Sequence, residues 1–270
     1  MKKMKKISLF IALFVLTVFP LLAESESVRP LYTRENRFPE LGKVELGSYV
    51  SYRQLDEYFI NQIDPKCYNG YYVDKKDKRS ETVVTPYARY GVFENLTIYS
   101  KVPIDFVSSD VKGSQAGFND IALGMELLAY EYTYKYPWVV PYIEVTLPTG
   151  NDRNHMGLGK VDPIFGVAVG TTTFDKYHWI LDGRYDANVT ADGRFEGAAS
   201  FIWDLSDQFS VLAEAKVTEK SPGSTKDIPV YFNAGLAYKP ADQLSVNLYG
   251  GTSANSEENG HGSVKVAYNF

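Results

Sequence analysis

From about residue 43 to the end of the chain, apolar and polar side chains alternate one by one, segment after segment, with no long stretch at helical period. In Leu96–Val107, one set comprises Leu96, Ile98, Val102, Ile104 and Phe106, and the other Thr97, Tyr99, Lys101 and Asp105. Phe209–Thr218 sets Phe209, Val211, Ala213, Ala215 and Val217 against Glu214, Lys216 and Thr218. Successive side chains of a strand point to opposite faces, so such a strand needs two different solvents. Twelve segments read this way: 43–53, 82–92, 96–107, 118–131, 138–147, 163–173, 178–188, 194–205, 209–219, 227–238, 243–252 and 262–270. Most have roughly the 9–12 residues that a tilted strand needs to cross a bilayer, about twice the usual length in soluble proteins. The pattern predicts an all-β fold, a transmembrane antiparallel up-and-down β-barrel of about 12 strands.

The connections alternate in length. Phe93–Asn95, Tyr132–Pro137, Phe174–Tyr177, Ser206–Gln208 and Lys239–Asp242 are short, and several place Asp or Asn just before the residue that restarts a strand. The others, 54–81, 108–117, 148–162, 189–193, 220–226 and 253–261, are mostly longer and more polar. Short periplasmic turns opposite longer extracellular loops are the pattern of an outer-membrane barrel. Trp138, Trp179 and Trp203 all lie beside short turns; by parity Trp138 points inward and the other two outward. The chain ends with Val264, Val266, Tyr268 and Phe270 at alternate positions, which resembles the terminal strand read by barrel-assembly machinery.

Lys2, Lys3, Lys5 and Lys6 followed by the apolar run Ile7–Leu22 read as a secretory leader over 1–23, with Ala23 before the cut. Residues 24–41 are expected in the periplasm or as a plug in the lumen, and 42–270 as the barrel. Formal net charge is −5, and removing four leader lysines leaves a more acidic chain, which argues against a nucleic-acid partner. The expected partners are outer-membrane lipid, the assembly machinery and small-molecule solutes. The 21 tyrosines suit a protein with two membrane–water interfaces. A single cysteine, Cys67, allows no internal disulfide.

Parity turns a charged set toward the lumen: Lys101, Asp105, Glu126, Glu144, Asp182, Arg184, Asp186, Arg194, Glu196, Glu214 and Lys216, with Glu45, Arg53, Arg89, Asp204 and Lys265. These residues either fill the barrel as ion pairs or line a solute path, and the sequence leaves both open. No cofactor or metal is expected. Asp152, Asn154, His155 and Asp162 share one loop but match no calcium-loop spacing. His261-Gly262-Ser263 brings to mind the His-x-Ser pair of outer-membrane lipid hydrolases, yet parity places Ser263 away from lipid and no third group accompanies it, so no enzyme is expected.

Leu147-Pro148-Thr149-Gly150-Asn151-Asp152, followed by Gly157-Leu158-Gly159 and Asp162, resembles the outer-membrane barrel family named for the meta-pathway of phenol degradation. The resemblance implies an outer-membrane transporter of aromatic or other hydrophobic compounds and assigns no binding residue. The alternative is a structural or adhesive surface barrel without significant conductance.

Overall fold

The computed structural model describes residues 30–63, 72–110, 113–131, 137–150, 157, 159–187, 193–219, 228–256 and 258–270. The expected leader, Cys67, and Asp152, Asn154 and His155 lie outside them. The strands are β1 (Val44–Ile63), β2 (Tyr72–Phe93), β3 (Leu96–Lys101), β4 (Ile104–Ser109), β5 (Gly113–Phe118), β6 (Ile121–Leu127), β7 (Tyr130–Glu131), β8 (Trp138–Leu147), β9 (Asp162–Thr173), β10 (Tyr177–Asp186), β11 (Arg194–Asp204), β12 (Phe209–Thr218), β13 (Val230–Ala241), β14 (Leu244–Ala254) and β15 (Glu258–Asn269). Every pairing between them is antiparallel, and β1 pairs with both β2 and β15, so the sheet closes on itself. Closure removes the exposed edges that hydrocarbon cannot solvate.

The barrel has twelve staves, because β3 with β4 and β5 with β6 and β7 each occupy one place in the ring. The expected unbroken strand over 96–107 is interrupted at Val102-Pro103. Proline has no N–H to give to a ladder. The ladder re-forms around the break: the Val102 N–H donates to Pro86 O (3.0 Å) and the Asn119 N–H to Pro103 O (2.9 Å). A larger correction concerns 54–81, which the sequence suggests is a loop. Strands β1 and β2 instead run on together as one long ladder, Leu55 pairing with Arg79 and Asn61 with Val73. Apolar and polar residues there are mixed without a period of two, so the alternation that marks a membrane strand is lost although the pairing continues.

The short connections gather at one end with Val44 and Phe270, whose N–H donates to Val44 O (2.8 Å). In the turn after β9, Phe174 and Asp175 adopt positive φ (53° and 54°), a conformation Asp tolerates better than most residues. Outward positions are apolar and exposed, among them Ile98, Leu123, Phe165, Leu181, Phe232 and Leu248. An apolar coat of this extent has no place in water; it is the lipid face of an outer-membrane barrel. Trp179 and Trp203 are on this outer face near the short turns, whereas Trp138 is buried inside. Toward the short-turn end the inner face is also apolar: Val140, Ala168, Ile180, Ile202, Leu212, Ala237 and Tyr249 join Trp138 in one cluster, against which Leu31 and Phe38 pack.

Candidate functional site

Residues 30–41 form no ladder strand. At the short-turn rim Leu41 bridges to Gly91, and Gly42 N–H donates to Gly91 O (2.8 Å). From that rim the segment climbs inside the barrel, and its contacts run around the wall. Arg34 is the hub. One of its guanidinium nitrogens donates to Glu126 on β6 (2.7 Å); the other donates to Glu144 on β8 (3.1 Å) and to the Tyr99 hydroxyl on β3 (3.1 Å). Its backbone N–H donates to Asp182 on β10 (2.9 Å). Thr33 donates to the Ser200 hydroxyl on β11 (2.8 Å), and the Leu31 and Tyr32 N–H groups each donate to Glu214 on β12 (3.0 Å). These wall carboxylates belong to strands far apart in sequence, and the crossing segment draws them together.

The wall residues are in turn held by one another. Arg89 bridges Glu45 (3.1 Å) and Glu126 (2.7 Å), with all three side chains at most 5% exposed. Lys101 donates to Glu144 (2.6 Å). The Tyr99 hydroxyl donates to Glu144 (2.7 Å) and the Tyr142 hydroxyl to Asp182 (2.8 Å). Each of these tyrosines lies flat across a glycine directly opposite on the next strand, Gly124 for Tyr99 and Gly166 for Tyr142. A Cβ at either glycine would sit 2.2–2.3 Å from the ring, so only glycine lets the ring tilt across to the next carboxylate.

The other sequence candidates lie apart from this hub. Arg184 pairs with Glu196 and Arg53 with Glu81. Asp105 accepts from Asn119 (2.6 Å), and Lys265 lies 5.7 Å from the Tyr87 ring centre. Asp204 accepts from Ser210 (2.6 Å) and lies 2.8 Å from His178, near the short-turn end. Arg194 and Asp186 sit at the long-loop ends of β11 and β10, where they are register partners. Lys216 lies between the rings of Tyr32 and Tyr231, 5.0 and 4.7 Å from their centres. At the last strand Val264 is exposed, Val266 half-buried, and Tyr268 meets Phe270 edge-on at 4.7 Å. Ser263 is buried beside these, and His261 is engaged by Glu258 (2.5 Å) and Tyr32 (3.2 Å). Among the described residues no group of three or more His, Cys, Asp or Glu side chains could hold a metal ion.

Parity alone finds wall positions but not the groups that meet them. Tyr32, Arg34, Tyr142 and the apolar inner cluster are additions from the structure, as is the contact of Tyr99, which the alternation sets beside Lys101, with Glu144. One signal was present: Arg29, Arg34 and Arg37 precede a barrel with many inward acids, a match of charge across the sequence.

The fold is that of outer-membrane channels. A COG4313 outer membrane channel from Pseudomonas putida F1 superposes with a TM-score of 0.68 at 16% identity, covering 91% of this chain and 100% of that one. The NanC porin (TM-score 0.53, 7% identity, 82% of this chain and 98% of that one) and the KdgM porin (0.50, 9%, 83% and 99%) are similar more loosely. Among curated protein sequences none matches. A family model does match, over residues 70–270, which is most of the barrel. This chain therefore belongs to the family described as "Putative MetA-pathway of phenol degradation".

Proposed function

We propose that the protein is an outer-membrane channel for small molecules, aromatic or otherwise hydrophobic compounds among them, whose lumen residues 30–41 narrow as a plug. The observation that carries this reading is how the segment is held. It crosses a closed barrel on side-chain hydrogen bonds, chiefly from Arg34 to Glu126 and Glu144, and joins no ladder beyond the Leu41 bridge. A segment that served only to fill the barrel could pair as another strand; one held by exchangeable polar contacts can shift or be displaced. The charged wall residues Lys101, Asp105, Glu126, Glu144, Asp182, Arg184, Asp186, Arg194, Glu196, Glu214 and Lys216 would then set the electrostatics of the path, as charged rings do in other pores. Catalysis is no part of the proposal: His261 is committed to Glu258 and Tyr32.

Planar-bilayer recordings and vesicle-swelling assays of refolded protein test it. The full chain should conduct weakly, and deletion of residues 24–41 should raise conductance and solute entry several-fold. If neither form conducts, the barrel is a structural or adhesive surface protein, a reading that the long β1–β2 ladder at the loop end would serve.

A further inference from the structure

The side chain of Tyr32 meets three different chemistries on the wall, each suited to a different part of a phenol. The Lys216 ammonium on β12 lies 5.0 Å from the ring centre, on the side toward Tyr231 of β13, whose own ring centre is 4.7 Å from the same nitrogen. His261 on β15 presents its ring to Tyr32 at 65° with centres 6.2 Å apart. Its Nε2 is hydrogen-bonded to the Tyr32 hydroxyl (3.2 Å), and Asn233 Oδ1 lies 3.3 Å from that nitrogen. The face of the ring thus meets a cation, its edge an aromatic ring, and its hydroxyl a polar nitrogen.

The wall is built for this. His261 reaches across β14 only because Gly251 stands between; a Cβ there would lie 2.4 Å from Nε2. Glu258 holds the other ring nitrogen (2.5 Å). Among the described residues Lys216 forms no ion pair, and its ammonium lies against the two tyrosine rings with Glu196 and Arg184 on the same stretch of wall. With Tyr32 in place, the space between it and Lys216, Asp182, Arg184 and Glu196 is too tight to admit a water molecule, so a solute can enter only where the Tyr32 side chain leaves. The Tyr32 backbone is held separately, by Glu214.

We infer that this wall patch is a binding site for phenolic solutes, that is, hydroxylated single aromatic rings, and that Tyr32 is a built-in occupant which such a solute displaces. The inference rests on the channel reading for its purpose, but binding at the patch can be measured without transport.

The probe is p-cresol, the free form of the tyrosine side chain, with toluene as the same ring lacking the hydroxyl. Binding is measured calorimetrically on refolded full-length protein. A solute competing with an internal occupant binds more weakly by the fraction of time the site is vacant. Tyr32→Ala should therefore bind p-cresol about ten-fold or more tighter than the wild type, and toluene less well than p-cresol. In the Tyr32→Ala background, His261→Phe should erase the preference for p-cresol, and Lys216→Met should weaken both ligands. Should Tyr32→Ala fail to fold, Tyr32→Phe, which gives up only the hydroxyl contact, should still bind p-cresol more tightly than the wild type. Equal affinity in the wild type and the folded Tyr32 variant overturns the inference, as does binding unaffected by both wall substitutions. Conductance of the same preparations separates the two readings: binding without conductance removes the channel and keeps the site, and conductance without binding does the reverse.

Discussion

Arg89 is held between two buried carboxylates, Glu45 and Glu126, each no more than 2% exposed. Removing one partner from a buried charge group leaves uncompensated charge, typically at a cost of about 3–5 kcal/mol. Arg89→Ala should accordingly lower the unfolding free energy of the refolded barrel, read from a urea titration, by an amount in that range. Arg34→Ala should behave differently. Its carboxylate partners keep Arg89 and Lys101, so stability should fall far less while single-channel conductance rises. A variant pair with the opposite ranking would make Arg34 a structural bolt and not part of a movable plug. Individual residues were also where the sequence was least legible. Parity marks Glu126, Glu144 and Asp182 as inward, because that follows from alternation along one strand. It says nothing of Arg34, which reaches them from a segment without alternation, and although it sets Tyr99 beside Lys101 it does not show that the Tyr99 and Tyr142 hydroxyls reach carboxylates across a glycine.

Elements were more legible, for a physical reason: a strand between lipid and a polar interior carries its environment in its own period. Strand β8 begins and ends where the sequence places it, at 138 and 147, and β9 to β12 differ by a residue or two. The period fails where one of the two solvents is missing. Over 54–81 apolar and polar residues no longer alternate, so the segment looks like a loop although β1 and β2 stay paired. That difference can be measured. In a Cys67→Ser background, a cysteine at exposed Lys78 should react with a membrane-impermeant thiol reagent on whole cells, and cysteines at Asp175 or Ser206 should not. Labelling of the short turns from outside would invert the orientation. On the lipid face, Leu181 is 66% exposed, and Leu181→Arg would place a charge in hydrocarbon at about 2–4 kcal/mol near the midplane. Membrane insertion should drop accordingly. Deleting Phe270 removes both the aromatic contact to Tyr268 and the bond to Val44, and should reduce folded, heat-modifiable protein in the outer membrane without blocking export.

For the whole molecule, closure is the property from which the rest follows. Twelve staves give a bore wider than the side-chain-filled interior of a small barrel and narrower than a large porin's channel, and here the bore is partly filled by the protein's own amino-terminal segment. The width of such a tube depends on stagger as well as on strand number, since shifting one strand along its neighbour changes tilt and circumference together. The paired rings and glycines bear on that. Gly47 faces Tyr87, Gly124 faces Tyr99, Gly166 faces Tyr142 and Gly170 faces Trp138, all between directly opposed residues. Slide one strand by two positions, the smallest shift that keeps its faces, and each ring would land on a residue with a Cβ where it now finds none. Each glycine is thus a notch that one tooth fits, and the four together set the calibre of the tube before any solute meets it.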